Sequence, residues 1–363
     1  MAETSVPEGL TVEQWDDKYY TEYLNQNWFK KFMGTGSNAM IQVREDITKK
    51  PGDAITVELN NRLTGTAKNE NETLEGNEEN VRLRSHKVTV REYKHAVKWK
   101  VFDDQKTAVP LRRVHKDSLM DWNMELDRDN IIEALSSING VAYTSASEAQ
   151  KDAWLADNAD RVLFGAVKSN NSSNDHSASL ANIDSTNDKL TSSALSLMKR
   201  MAKLANPKIR PFRPRGSVEG SDKFIVFAPS LVLRDLRTDT AFLQANREAR
   251  ERGKDNPIFA DADYFYDNLC IYEVEDIPVI SGAGNSGIDV APVHLCGAQA
   301  ICQVWAKRPT TVEEDFDYKT KKGIAIKQWY KVEKLRFGAG NEDTDNPKDH
   351  GVLTGYFSAV ADS

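Results

Sequence analysis

Residues 107–140 read TAVPLRRVHKDSLMDWNMELDRDNIIEALSSING, and this stretch decides what kind of fold to expect. Pro110 stands near its start, where a missing N–H costs nothing. Leu111, Val114, Leu119, Trp122, Leu126, Ile131, Leu135 and Ile138 then recur mostly at three- and four-residue steps, and Asn139-Gly140 supplies a stop. The spacing predicts a helix over Thr107–Ile138. At about 1.5 Å per residue it would run roughly 45 Å, far beyond the usual three turns. A protein organised around so long a helix needs other elements to cover it.

Upstream, Pro51-Gly52-Asp53 is turn chemistry. Ile55, Val57 and Leu59 alternate with Thr56, Glu58 and Asn60, the period of a half-buried strand. The segment 64–80 is polar and carries Glu70, Glu72, Glu75, Glu78 and Glu79. A second strand-like stretch, 81–101, changes apolar phase twice, which predicts a bulged or bent strand. It holds seven basic residues, among them Arg82 and Arg84, against the single acid Glu92. Residues 51–105 therefore read as one long β-ribbon with an acidic tip and a basic return strand. Isolated ribbons are marginal in water, so this one should lie on another surface.

Residues 1–50 read as an extended arm. Trp15, Tyr19, Tyr20, Tyr23, Trp28, Phe29 and Phe32 give it an aromatic load that needs either a partner surface or its own domain to pack on. Downstream, 169–187 is rich in Ser, Asn and Asp and reads as a surface insertion. A second helix is expected over Leu190–Ala205, with Leu195, Met198, Met201 and Leu204 on one stripe, ended by Asn206-Pro207. Eight basic residues and no acid occupy 189–216, including Arg210, Arg213 and Arg215. Phe224–Ala228 is a buried strand, and Ser230 a candidate cap for the helix that follows it. Short strands near 269–274 and 279–281, a helix or strand at 297–306, and alternating strands at 324–328 and 330–337 complete an α+β pattern without a βαβ rhythm.

Composition narrows the function classes. The chain has 363 residues, with 48 Lys+Arg against 55 Asp+Glu, a net charge of −7 and a pI near 5.6. Two or three units fit that length, and a sequence-reading nucleic-acid binder usually shows the opposite charge balance. No apolar run approaches the roughly 18 residues of a membrane span. Met1–Leu10 shows no secretory signal, and three irregularly spaced cysteines fit reduced thiols in a cytosol. Gly282–Gly287 matches G-x-G-x-x-G, but Pro292 follows where the fingerprint requires a helix. His294, Cys296 and Cys302 have no fourth ligand at a zinc spacing. Asp261, Asp263 and Asp267 lack the rest of a calcium loop. No catalytic, cofactor-binding or metal-ligating residue is expected. The separated acidic and basic blocks fit pairing between copies of the chain, and the alternative is a nucleic-acid-binding or packaging protein that uses 189–216.

Taken together, four stretches carry a resemblance: Trp28-Phe29 to Asp53; Leu119 to Gly140; Phe224 to Phe259; and Gly297 to Phe337 with its GAQA and EEDFDY segments. They resemble the major capsid proteins of tailed phages with the Hong Kong 97-type (Johnson) fold, and within it the major capsid family of the N-four-like podoviruses. Ala260–Asn268 departs from the glycine-bearing turn of that pattern. The resemblance implies an N-terminal arm (1–50), an E-loop (51–105), a P-domain with its spine helix (106–186), an A-domain (187–308), and return strands with a C-terminal tail (309–363). It implies a structural, non-enzymatic protein that self-assembles as hexamers and pentamers into an icosahedral virion shell around double-stranded DNA, without sequence specificity or membrane. A scaffolding protein, a portal and decoration proteins are the implied partners, and assembly is expected in the host bacterial cytoplasm. Trp28, Phe29 and Phe32 of the arm, the five tip glutamates, Arg82, Arg84, Arg210, Arg213 and Arg215 are the candidate inter-subunit contacts.

Overall fold

The computed structural model describes residues 28–45, 52–60, 63, 65–70, 72–79, 83–107, 109–212, 222–251, 263–340 and 345–361. The principal elements in chain order are β1 (Ile41–Arg44), β2 (Ala54–Asn60), β3 (Leu83–Thr89), β4 (Arg91–Lys100), α1 (Leu111–Ser136), α2 (Glu148–Asp157), β5 (Val162–Phe164) and α3 (Ser192–Leu204). These are followed by β6 (Phe224–Ala228), α4 (Ser230–Thr238), α5 (Thr240–Glu251), β7 (Tyr264–Tyr266), β8 (Leu269–Glu273), β9 (Val290–Cys296), β10 (Ile301–Phe316), β11 (Lys321–Lys334) and β12 (Val352–Ser358). Contacts divide the chain into two compact units. One comprises 1–28, 91–128 and 307–330; the other comprises 29–90, 129–306 and 331–363.

The larger unit is built on a six-stranded mixed sheet in the order β5-β12-β9-β6-β8-β7. Strands β6, β9 and β12 are buried along their whole length and read as near-continuous apolar runs, as strands covered on both faces must. Helix α3 lays Leu195, Met198 and Met201 on Val293, Leu295 and Phe357 of this sheet. Thr191 caps it by accepting from the Ala194 amide, and Ala205 ends it one residue before Asn206. The expected cap Ser230 is instead the first residue of α4, with Pro229 in the cap position and no side-chain cap bond, since proline supplies only its fixed φ.

The 169–187 stretch is not a plain surface loop. It contains a short helix, His176–Ala181, and buries His176, Leu180 and Ile183 under Trp154, Phe164 and Tyr356. Polar composition hid three core positions spaced at four and three residues.

The described end of the arm is likewise structured. Trp28–Phe32 forms a 3-10 turn, and β1 pairs in parallel with Ile301–Val304 of β10. Trp15, Tyr19, Tyr20 and Tyr23 lie outside the described residues.

In the smaller unit, β4 pairs antiparallel with residues 321–330 of β11 along ten positions. The hairpin joining β10 to β11 turns through Asp317, Tyr318 and Lys319, all at positive φ, closed by the Thr320 amide donating to the Asp317 carbonyl. Leu111, Leu119 and Trp122 of α1 pack on Val97, Trp99, Ile324 and Ile326. Trp122 meets His95 and Trp99 meets His115 in tilted ring contacts, with centroids 4.8 and 5.1 Å apart.

Helix α1 spans 26 residues, somewhat shorter than the 107–138 expected. Asn139 and Gly140 at positive φ stop it as predicted. Leu119 and Trp122 are not on one stripe with Ile131, Ile132 and Leu135, which are buried in the larger unit.

Candidate assembly surfaces

The ribbon is shorter than the sequence implied. β2 and β3 pair antiparallel from Ala54–Thr89 to Asn60–Leu83, and the return strand then changes partner at Val90. Beyond it, β4 belongs to the sheet with β11. The second apolar phase shift between 88 and 97 is therefore a change of sheet rather than a bulge in one long ribbon. Val57 and Val88 at the ribbon base are buried with Cys302, Val304, Leu335 and Phe337 of the same chain. His86 lies 3.3 Å from Glu333. Burial raises the Glu333 carboxyl, but the His86 hydrogen bond and the Arg336 charge outweigh it and hold the carboxyl below its ordinary range.

The tip is exposed throughout its described residues, and Leu63 and Leu74 stand in solvent at 57% and 72%. Three of its five glutamates turn back onto the loop's own backbone. Glu79 Oε2 accepts from the Gly65 amide (2.6 Å), Glu78 Oε2 from Gly76 (2.8 Å) and Glu72 Oε2 from Asn69 (3.2 Å). Gly76, at φ +84°, sits where a side chain would be strained. The glutamates thus shape the loop that displays their charge.

The other expected contact residues separate into groups. Phe29 and Phe32 are buried in their own subunit, edge-on to Phe227 at 5.1 and 5.6 Å, and Phe32 also meets Tyr272 at 5.0 Å. Their apolar area is covered at home, leaving none to offer a neighbour in this conformation. Arg84 is also buried, its guanidinium donating to the Gly340 carbonyl. Arg210 is exposed. Its carbonyl accepts from the Ala298 amide at 2.8 Å, and a Cβ on Gly297 would meet that oxygen at 2.2 Å, so the site requires glycine. Within the basic block, Lys199 is tied to Asp267 at 2.6 Å and Lys189 lies 3.8 Å from Asp235, so part of its charge serves the subunit fold. The Trp28 side chain, Arg82, Arg213 and Arg215 lie outside the described residues.

Part of the basic return strand expected from the sequence forms, with a partner strand the sequence did not announce, a basic surface in the smaller unit. In the β4–β11 register, Lys100 faces Lys321, Lys98 faces Gly323, Ala96 faces Ala325 and Lys94 faces Lys327. Directly opposed residues share a face, so five lysines line the sheet face opposite the one that packs on α1. Two carry local partners: Lys94 with Glu92 (3.3 Å) and Lys321 with Asp317 (3.0 Å). Apolar rings punctuate the face. The Lys98 ammonium lies 4.5 Å from the Phe316 ring centroid and the Lys307 ammonium 5.2 Å from that of Trp329, and both rings stay partly exposed. Lys94, Lys98 and Lys100 were legible as part of a basic strand, whereas Lys321 and Lys327 join their face only through the pairing.

Two polar arrays test for other chemistry. Ser136 Oγ lies 3.2 Å from His294 Nε2, and His294 Nδ1 lies 3.3 Å from Thr354 Oγ1. This looks like a nucleophile and its base. However, burial, helped by the Lys334 charge, pushes the His294 imidazole down to about 3, and a threonine hydroxyl gives its proton-bearing form no counter-charge. An imidazole that refuses a proton cannot activate a serine. The array is a hydrogen-bonded part of the core.

The carboxylates of Glu148, Asp152 and Asp175 can place oxygens within 4.8 Å of one another. Asp175 caps the His176 helix by accepting from Ala178, Asp152 accepts from the His176 amide, and Glu148 lies 3.6 Å from Lys151. The group serves helix termini. Cys270, Cys296 and Cys302 are all buried with raised thiols, Cys302 to about 12, and resemble core residues rather than ligands.

The model of a family described as phage capsid protein matches residues 3–361. The major capsid protein of Pseudomonas phage KPP25 is 26% identical, with 96% of each chain aligned. Among solved structures, the capsid asymmetric unit of cyanophage Pam1 superposes with a TM-score of 0.88 at 29% identity, covering 100% of both chains. The capsid of Ralstonia phage GP4 follows with 0.77 at 22% identity, also over 100% of both. The head of Helicobacter pylori bacteriophage KHP40 shares the fold at a TM-score of 0.69 and 14% identity, covering 97% and 96%. The packaging-protein alternative finds no support in these likenesses.

Proposed function

The chain belongs to the phage capsid protein family, and from that premise we propose that its copies are joined in the shell by the acidic ribbon tip of one subunit lying on the lysine face of another. The protein is a major capsid protein of the Hong Kong 97-type α+β fold, a structural component of a phage virion. The complementarity of the two surfaces carries the proposal. The tip presents Glu70 and Glu75 beside exposed Leu63 and Leu74, and the face presents lysines beside Phe316 and Trp329. A single exposed ion pair is worth about 0–1 kcal/mol, yet the same contact repeated around a closed shell multiplies into a strong preference.

On this reading the shell is icosahedral, made of hexamers and pentamers, and assembles in the host cytoplasm on a separate scaffolding protein. A portal and decoration proteins complete the particle. The segments proposed as arm, P-domain and A-domain keep the boundaries given above, and the E-loop is drawn in to the ribbon that ends near Val90, since β4 belongs to the β11 sheet. The net charge of −7 suits a container for double-stranded DNA, because a strongly basic lining would hold phosphates by counterion release. A structural role also fits His294 being held neutral beside Ser136.

Charge exchange tests the contact. Changing Glu70 and Glu75 to Lys should leave a folded subunit that forms no closed shells under negative-stain microscopy. Adding Lys94→Glu and Lys98→Glu in the same chain should restore them. Normal shells from the first variant, or no rescue by the second, would assign the tip another partner.

A further inference from the structure

The larger unit contains a cavity of about 370 Å³ that the assembly surfaces do not use. It lies within the larger unit alone, lined by the last turns of α1, by α2, by the 276–280 loop and by β9 and β12. Its size is near the lower end of the roughly 300–1,000 Å³ that small-molecule sites occupy, room for a ligand of one or two rings. Tyr143, Trp154 and Tyr356, with Ile132, Val279 and Ile280, make the walls aromatic and aliphatic. Ring faces of this kind favour a flat apolar body between them.

The buried end of the cavity holds one hydrogen-bond donor more than the subunit uses. Ser136, His294 and Thr354 all line it. Ser136 Oγ lies 3.2 Å from His294 Nε2, and His294 Nδ1 lies 3.3 Å from Thr354 Oγ1. Burial keeps the imidazole neutral, so it has one N–H to give and one bare nitrogen to accept with. It therefore takes the proton of one hydroxyl and donates to the oxygen of the other. In either tautomer one of the two hydroxyl protons is left over. Among the described residues neither hydroxyl has a further partner. A donor left unpaired in the interior is costly, and an acceptor brought into the cavity would satisfy it.

Nothing in the lining is left to neutralise an ion. The Lys334 ammonium is 2.6 Å from Asp349, with both side chains almost wholly buried. The Lys151 ammonium is shared between Glu148 at 3.6 Å and the Tyr143 ring at 4.6 Å. Asp129 and Asp276 have partners within the subunit, and Glu133 stands exposed to water at the mouth. A charged ligand would give up its hydration among aromatic walls and gain no counter-charge.

We infer that this cavity is a binding site for a small neutral molecule, a flat apolar ring system carrying one hydrogen-bond acceptor such as a ketone oxygen. The rings lie against Tyr143, Trp154 and Tyr356, and the oxygen accepts the spare proton of Ser136 or Thr354. A bound ligand joins the end of the spine helix to α2, the 276–280 loop and the central strands, and so stabilises the subunit by mass action. The inference goes beyond the shell-forming role and stands whether or not the tip contact holds.

Isothermal calorimetry on the full-length soluble chain at neutral pH tests it with three molecules of one shape. The ketone 1-tetralone should bind saturably at one site per chain. Tetralin, which lacks only the oxygen, should bind about tenfold more weakly, the loss that one missing hydrogen bond brings. Tetralin-1-carboxylate, which has acceptors but also a charge, should not bind at millimolar concentration. The variant Ser136→Ala/Thr354→Val, which removes both hydroxyls, should bring 1-tetralone down to the affinity of tetralin. Ala142→Trp, which fills the cavity, should abolish binding in a chain of native circular dichroism. If either variant fails to fold, the three molecules on the native chain decide alone. No binding of 1-tetralone, equal binding of tetralin or of the carboxylate, or an unchanged 1-tetralone affinity in either folded variant would overturn the inference.

Discussion

Asp349→Asn is the most demanding perturbation of the subunit. The Asp349 carboxylate lies 2.6 Å from the Lys334 ammonium, the two side chains being 3% and 2% exposed, and its Oδ2 also accepts from Trp154 Nε1 at 3.1 Å. Asparagine has nearly the same shape and can still accept from Trp154, so packing is preserved. What changes is that Lys334 becomes a buried ammonium without a counter-ion. Breaking a buried pair by removing one partner costs about 3–5 kcal/mol. Unfolding entropy of about 2.1 cal/mol/K per residue gives roughly 0.8 kcal/mol/K for a chain of this length, so the melting temperature should fall by about 4–7 °C.

The double variant Lys334→Met/Asp349→Asn removes both charges and should recover all but about 1–2 kcal/mol, since apolar replacement of a buried pair is often neutral. Scanning calorimetry or circular dichroism melts of the soluble chain measure both. A single variant within about 0.5 kcal/mol of the native chain, or a double variant no better than the single, would refute the reasoning. Either result would mean that Lys334 reaches water or is held by something other than Asp349.

Acid should weaken the subunit through its buried imidazoles. Burial lowers His294 to about 3 and His176 to about 4 from 6.5, so the unfolded chain binds more protons between about pH 6.5 and 4. Stability is therefore full above 6.5 and falls as the pH drops through that window, by an order of a few kcal/mol per histidine. His294→Gln should flatten the plot of melting temperature against pH, and an unchanged slope would remove His294 from the account. Phe29→Ala should cost the free subunit about 3–5 kcal/mol by opening a cavity against Phe227; a subunit of native stability that merely fails to assemble would show that Phe29 belongs to a neighbour. Replacing 66–78 by a short Gly-Ser turn should leave the melting temperature and circular dichroism of the soluble chain near native while abolishing closed shells, because the tip's one large apolar side chain within 66–78, Leu74, is exposed. Aggregation or a much lower melting temperature would place the tip in the core.

What the sequence made legible was local. The stop at Asn139-Gly140, the stripe of α3 and the apolar run of β6 depend on neighbours a few residues away, and each lies where expected. Pairing across hundreds of residues was not legible. Nothing near Val90 announces that Arg91 leaves β2 for a strand near residue 330, and the lysine face exists only through that register. The arm shows the same limit: Ile41–Val43 reads as extended, but its partner Ile301–Val304 lies far away in the sequence. His176 was hidden by polar neighbours, since three buried positions in a Ser/Asn-rich stretch leave no periodic trace.

The position of β12 has a consequence for synthesis. In the six-stranded sheet it stands between β5 and β9, with Thr354 paired to Val162 on one side and to His294 on the other. Strand β5 reaches the sheet only through β12, which follows every other strand of that sheet in chain order. A ribosome making this chain must therefore pass residue 358 before β5 has its partner. Until then Leu163 and Phe164 wait with their apolar neighbours uncovered, and the long-range pairing that closes the sheet comes last and slowly. A half-made chain thus lacks a finished subunit to dock, which separates translation from shell growth even where many copies are made side by side.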